Sequence, residues 1–309
     1  NKTQSKLDII FVGRHGGHKK IDKLEASSER IKTLAGLIES FSPNLSIGFA
    51  SPEAARVAFG LNIKHYQIND SPHSEFVAKL TVPFTTKLFT PSIIPNEEWT
   101  KYGIQSHNIV HYNSLDVVAW LQNFKPDKNI LSRLGITNKN PLIVIRAEEY
   151  QASYLSDKSS ALPKSIEWIE KLRKDNPKVN IVLLCRYTDQ INLSRKALGD
   201  EVIIPDFTVD AASLLHYTKI FVGYGGTMTW EAALMGKTSI SAFQGGRLIV
   251  EDYLVREGLI IKEKKSNEIL RIIKQELYED INNDKKADKL INSMVNPIDI
   301  LLDHIIFET

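Results

Sequence analysis

Cysteine is almost absent from this chain: Cys185 is the only one in 309 residues. An internal disulfide framework is excluded, and a reducing compartment suits the composition. Neither sign of charge dominates. Lys and Arg number 39 and Asp and Glu 37, a formal net charge of +2. A nucleic-acid partner is therefore not expected, because such binders concentrate far more positive charge. No apolar run approaches the roughly 18 residues that span a bilayer, and no secretory signal opens the chain. Methionine does not open it either, since Asn1 stands there. A cytoplasmic protein is the expectation, with peripheral attachment to a membrane left open. No Asp-x-Asp triplet occurs, and His107 and His111 fall on a strand-like stretch where they share no helical face. Hence no metal ion and no cofactor is expected.

What is present is enough apolar residue to build a core: 42% hydrophobic against 25% charged. Short apolar runs at 8–13, 45–50, 64–69, 87–90, 142–146, 180–186, 201–205, 220–223, 238–243 and 259–262 read as strands. They are rich in Ile, Val, Leu and Phe without polar alternation, the pattern of strands buried on both faces of a parallel sheet. Helix-like segments at 22–41, 52–61, 162–176, 211–218, 227–235 and 248–257 fall between them. Strand and helix alternate as βαβ units, so the fold class is α/β. The polar, Pro- and Gly-bearing stretches "KPDKN" and "GITNKNP" mark a break. The expected organisation is an N-terminal Rossmann-like domain over 1–125, a linker over 126–139, a C-terminal domain over 140–283 and a final helix over 284–309 that packs back. The run "DINNDKKADK" reads as a solvated helix entry. Two such domains facing a cleft place ligands beyond the C-terminal ends of their strands.

The most informative stretch is "VGYGGTMTWEAALMGKTSISAF", Val222 to Phe243. Gly225 and Gly226 follow a strand and precede a helix. Glycine there lets backbone N–H groups approach a ligand without a Cβ in the way. A helix N-terminus adds unpaired N–H groups and positive potential, which suits phosphate. Thr227 offers a cap or a hydroxyl. Glu231, one turn on and on the same face, suits the hydroxyls of a neighbouring sugar. Phosphate at the tip and a diol one turn in describe a nucleoside diphosphate. A plain Gly-Gly turn with a stabilising Glu is the competing reading. The stretch is neither a Rossmann fingerprint nor a P-loop, since Met228 replaces the third glycine and no Gly-Lys-Ser/Thr triplet opens the helix.

This stretch resembles the donor motif of the GT-B superfamily. That motif has a glycine pair, Thr or Ser, a Glu-Ala step and Gly-Lys before the next strand. Together with "FVGRHGG", "SPEAARVAFGL" and "NDSPH", it resembles a prokaryotic, largely archaeal family of unknown function in that superfamily. The resemblance covers nearly the whole chain and implies a GT-B-like fold. It also implies an additional opening βα unit, which this chain is expected to lack. The activity implied is glycosyl transfer from a nucleotide sugar such as a UDP-sugar. The acceptor class would be a lipid-linked or cell-surface glycan precursor. UDP-N-acetylglucosamine 2-epimerase chemistry and an idle nucleotide-sugar binder are the rivals. The epimerase loops have "GFASPE", "NDSPH" and "RAEEY" as counterparts here, and the epimerase acids and histidine do not carry over cleanly.

Other after-strand residues complete the expected site. Arg14, His15, Gly16 and Gly17 form a basic loop suited to an acceptor or a phosphate, or simply a basic turn. Asn69, Asp70 and His73 offer a base and an orienter, with His15 as a second candidate base; an Asx-turn fixed by Pro72 is the alternative. Arg146 and Arg186 each end a strand and suit a diphosphate, or ion pairs to Glu148 and Glu149. Cys185 reads as core, and Trp120, Trp168 and Trp230 as packing residues.

Overall fold

The computed structural model describes residues 9–17, 19–149, 163–279 and 283–308. The chain divides into two compact units. Among the described residues, unit one takes in 9–90 and 95–111, and unit two takes in 91–94, 112–149 and 163–308.

Unit one begins with an irregular stretch and then helix α1 (Lys20–Phe41). There follow β1 (Leu45–Phe49), α2 (Pro52–Gly60), β2 (Lys64–Ile68), α3 (Glu75–Thr81), β3 (Lys87–Pro91), α4 (Glu97–Thr100) and β4 (Ile109–Tyr112). The four strands lie in sequence order in one sheet, with β1–β2 and β2–β3 parallel. Helix α2 starts where its sequence says it should: Ser51 accepts a hydrogen bond from the Ala54 amide and Pro52 occupies the first turn. The strand expected at 8–13 does not form among the described residues. Residues 9–13 have no regular structure, Ile9, Ile10 and Phe11 are exposed, and residue 8 lies outside the described set. Apolar content alone suggested that strand, but a strand also needs a partner edge.

Unit two contains α5 (Val118–Leu121), α6 (Ile130–Arg133), β5 (Leu142–Arg146), α7 (Ile166–Asp175), β6 (Asn180–Leu184), α8 (Thr188–Leu198), α9 (Ala211–His216), β7 (Ile220–Gly223), α10 (Thr227–Leu234), β8 (Thr238–Ser241), α11 (Ile249–Arg256), β9 (Ile260–Lys262), α12 (Ser266–Tyr278), α13 (Asp284–Asn292) and α14 (Pro297–Glu308). Its strands form one sheet in the order β6-β5-β7-β8-β9, all parallel. Alternate residues of each strand feed opposite faces. Ile143 and Ile145 join Ile169 and Leu172 of α7 and Ile269 and Ile273 of α12 in one core. Leu142 and Val144 join Leu214 and Leu215 of α9 in the other. Burial on both faces is why these strands lack polar alternation. The run at 201–205 contributes only a single bridge, Ile203 to Val182. The segment 126–139 carries α6, whose Ile130 is buried with Leu134. Helix α14 packs on α5, and the Val295 amide donates to the Asn113 carbonyl at 3.2 Å. Among the described residues no helix is long and apolar enough to cross a membrane.

Candidate functional site

The sheet of unit two has a topological switch. From β5 the chain moves outward to β6, then returns past β5 to β7 and continues to β8 and β9. Connections leaving β5 and β7 in opposite directions open a crevice at their C-terminal ends, where α/β sheets bind ligands. The register pairs Ile145 with Val222, so Arg146 and Gly223 come next along the two strands. The Gly225–Gly226 turn and Arg146 thus lie at the ends of neighbouring strands, on the same end of the sheet.

Gly226 is the N-cap of α10, with φ 83° and ψ −173°. Thr227 is therefore the first helical residue and not the cap. Its side chain makes no capping bond, nor does any other. The Gly226 carbonyl accepts from the amides of Thr229 and Trp230 at 3.0 and 3.4 Å. Among the described residues, the amides at the tip of the helix, those of Thr227 and Met228, have no hydrogen-bond acceptor. A Cβ on Gly226 would meet open space, whereas one on Gly225 would lie 2.9 Å from Leu248 Cδ1 and 3.2 Å from the Phe243 ring. The pair divides its work: Gly225 makes room for the Phe243 loop, and Gly226 leaves the helix mouth bare.

A pocket of about 390 Å³ takes in Met228 of α10 and is lined also by Arg146, Cys185, Arg186, Phe207 and Val209 among others. Arg146 Nη1 donates to the Cys185 carbonyl at 3.3 Å and forms no ion pair among the described residues. Burial, and then repulsion from Arg186, lowers its guanidinium to about 10. Arg186 sits 3.9 Å from Glu149. Glu149 is also held by the Tyr187 hydroxyl, at 2.7 and 2.8 Å. Two neighbouring guanidiniums thus have one ion pair between them among the described residues, that of Arg186, an arrangement that an anion would relieve.

Glu231 is only 7% exposed. Its Oε1 accepts from Trp120 Nε1 at 2.8 Å. Burial pushes its carboxyl up, the Trp120 bond opposes that, and Asp210 adds to the rise. Asp210 itself caps α9, accepting from the Ser213 amide at 3.2 Å. Sequence reasoning read Trp120 as packing and passed over Phe207 and Val209. The after-strand rule, applied to the apolar run at 201–205, points to 206–209. Nothing local marks Trp120, since its partner lies 111 residues away.

In unit one, Arg14, His15, Gly16 and Gly17 precede α1 and follow no strand among the described residues. Arg14 is exposed and paired with Glu29 at 3.2 Å, which raises its guanidinium. His15 Nδ1 accepts from the Gly17 amide at 3.1 Å. Gly16 is steric: a Cβ would sit 2.6 Å from Lys23 Cα. Asn69, Asp70 and His73 follow β2. The Asx-turn belongs to Asn69, whose Oδ1 accepts from the Ser71 amide at 2.9 Å. Asp70, 8% exposed, accepts from Ser71 Oγ at 2.6 Å. Burial raises its carboxyl and lowers the His73 imidazole. No hydrogen bond joins Asp70 to His73 among the described residues.

Residues 6–308 match the family described as Protein of unknown function (DUF354), and the chain belongs to that family. A relative from Methanocaldococcus jannaschii, Uncharacterized protein MJ0665, is 33% identical over 271 residues, 86% of this chain and 76% of that protein. Among solved structures, UDP-GlcNAc 2-epimerase from Neisseria meningitidis bound to UDP-GlcNAc is similar with TM-score 0.69 and 16% identity, over 94% of this chain and 82% of that one. Spinosyn forosaminyltransferase SpnP is similar with TM-score 0.59 and 14% identity, over 98% of this chain and 86% of that one. The fold is therefore GT-B-like, with two parallel-sheet α/β domains.

Proposed function

We propose that the chain is a nucleotide-sugar-dependent glycosyltransferase whose donor diphosphate binds the Gly225–Gly226 turn. The observation that carries this reading is the bare mouth of α10 at the switch point of the sheet, with Gly226 facing open space and Met228, two residues on, lining the pocket that holds Arg146. Backbone amides, the helix N-terminus and two guanidiniums neutralise a diphosphate in this arrangement, so the reading needs no metal ion. Glu231 takes the ribose hydroxyls, and the pocket beside Met228 holds the nucleoside. Unit one supplies the acceptor side and the base, for which Asp70 is the first candidate and His15 the second.

Likeness to a UDP-GlcNAc 2-epimerase favours an epimerase-like reaction as the second reading. A thermal-shift panel of nucleoside diphosphates and their sugars tests the site: stabilisation by UDP or a UDP-sugar supports it, and a flat panel overturns it. Incubation with a UDP-sugar then separates the chemistries. Transfer releases UDP and needs an acceptor, epimerisation yields a new sugar without one, and an idle binder returns its ligand unchanged.

A further inference from the structure

Glu231 does not meet a ligand alone. The side chain that holds it, Trp120, comes from the short helix α5 of the same unit. Trp120 is a poor core residue: it is 42% exposed, while Trp99, Trp168 and Trp230 are buried. Its indole has one donor and no acceptor, and that donor is spent on Glu231 Oε1 at 2.8 Å. Oε2 of Glu231 has no partner among the described residues. A two-oxygen acceptor with one oxygen pinned and one open is set up to receive a donor from outside the protein.

We propose that Trp120 is a positioning residue for nucleotide recognition: its N–H fixes one oxygen of Glu231 and so presents the other to the donor's ribose hydroxyls, a role that rests on the donor reading of the Gly225–Gly226 site. A buried carboxylate has two ways to fail here. It can rotate, or it can take up a proton. The Trp120 bond opposes both. It fixes the plane of the carboxyl, and it stabilises the ionised form against the burial that favours the neutral one. Packing alone does not require tryptophan at a surface this open, because phenylalanine would cover the same ground without the donor.

Calorimetric titration with UDP and 2′-deoxy-UDP tests the role in four proteins: wild type, Trp120→Phe, Glu231→Ala and the double variant. Wild type is expected to prefer UDP by about tenfold or more, the value of a charge-assisted hydrogen bond. Trp120→Phe loses most of that preference. Its UDP affinity also weakens on acidification at a higher pH than that of wild type, since the carboxyl now protonates more easily. The double variant is no worse than Glu231→Ala alone, because Trp120 acts through Glu231. Losses that add in the double variant, or a Trp120→Phe protein with the wild-type preference, overturn the role while leaving the donor site standing. A wild type that binds UDP without preferring it over 2′-deoxy-UDP does the same. A wild type without UDP affinity overturns the donor reading and this role with it.

Discussion

At the scale of single residues, the candidate site rests on one half-buried glycine turn and one buried acid. Glu231→Ala removes an acceptor that little else in the fold uses. Its one hydrogen-bond partner among the described residues, the Trp120 N–H, belongs to a half-exposed side chain that water can satisfy. UDP affinity is expected to fall by about 1–3 kcal/mol while the urea midpoint stays close to wild type. Titration and equilibrium unfolding of the same preparations check both halves. Gly226 poses the harder problem of separating binding from strain. Its φ of 83° and ψ of −173° lie in a region that only glycine adopts freely, so Gly226→Ala costs about 1–3 kcal/mol in any event. Gly199 provides the control. It has φ 61° and ψ −157° at the end of α8, again with open space around it. Both variants are expected to lose similar stability, and only Gly226→Ala is expected to lose nucleotide binding. Equal binding by the two would make the Gly225–Gly226 turn structural. The acid and the glycines were legible in the sequence because backbone geometry leaves a local signature. Trp120 was not, because a contact across 111 residues leaves none.

At the scale of elements, the parallel strands of unit two were readable from their unbroken apolar runs, while the sheet order, and hence the switch point, was not. Order depends on which crossover packs on which face, and both kinds of crossover present the same local pattern. The run at 8–13 shows the opposite failure: an apolar stretch without a partner edge forms no strand among the described residues. Strand β2 of unit one also departs from the apolar pattern. It buries His65, at 1% exposure, and Gln67. Gln67 is satisfied by Thr81 at 3.1 Å and Thr85 at 2.9 Å. His65 Nδ1 meets Ser46 Oγ at 3.1 Å, but its Nε2 has no partner among the described residues. Burial lowers the imidazole from the ordinary 6.5 to about 4. The native state therefore holds His65 neutral while the unfolded chain takes up a proton. Its contribution to stability is complete above about pH 6.5 and is lost as pH falls towards about 4, a difference on the order of 3 kcal/mol. Urea unfolding across that range should show a shallower pH dependence for His65→Leu than for wild type. Identical slopes would mean that the imidazole takes up its proton in the folded state at its ordinary pKa.

At the scale of the whole molecule, the proposed donor turn and the candidate base fall in different units: Gly225–Gly226 in unit two and Asp70 in unit one. That division makes their contributions separable. A transfer reaction needs a group to take the proton of the acceptor hydroxyl, and such help is worth about 10²–10⁴-fold in rate. Asp70→Asn keeps the size of the side chain and its contact with Ser71 but removes the basic oxygen. Turnover of a UDP-sugar is expected to fall by that factor, with UDP affinity nearly unchanged. Burial adds a second signature. It raises the Asp70 carboxyl above the ordinary carboxylate range, so the base becomes active only as pH climbs through that raised value, and the rising limb of the pH–rate profile should vanish in Asp70→Asn. The sign for stability is opposite. A carboxyl whose folded pKa is raised supports the fold fully at pH below its unfolded value, and that support is lost as pH rises through the folded one. Asn carries no such penalty, so Asp70→Asn should be at least as stable as wild type at neutral pH while being the slower enzyme, the trade-off expected of a functional group held where the fold does not favour it. Thermal melts and rate profiles of the two proteins decide it. A variant that turns over at the wild-type rate makes Asp70 a turn residue and shifts the search for the base to His15. A variant that is slow but also loses UDP affinity means that Asp70 acts on donor binding and not on the proton.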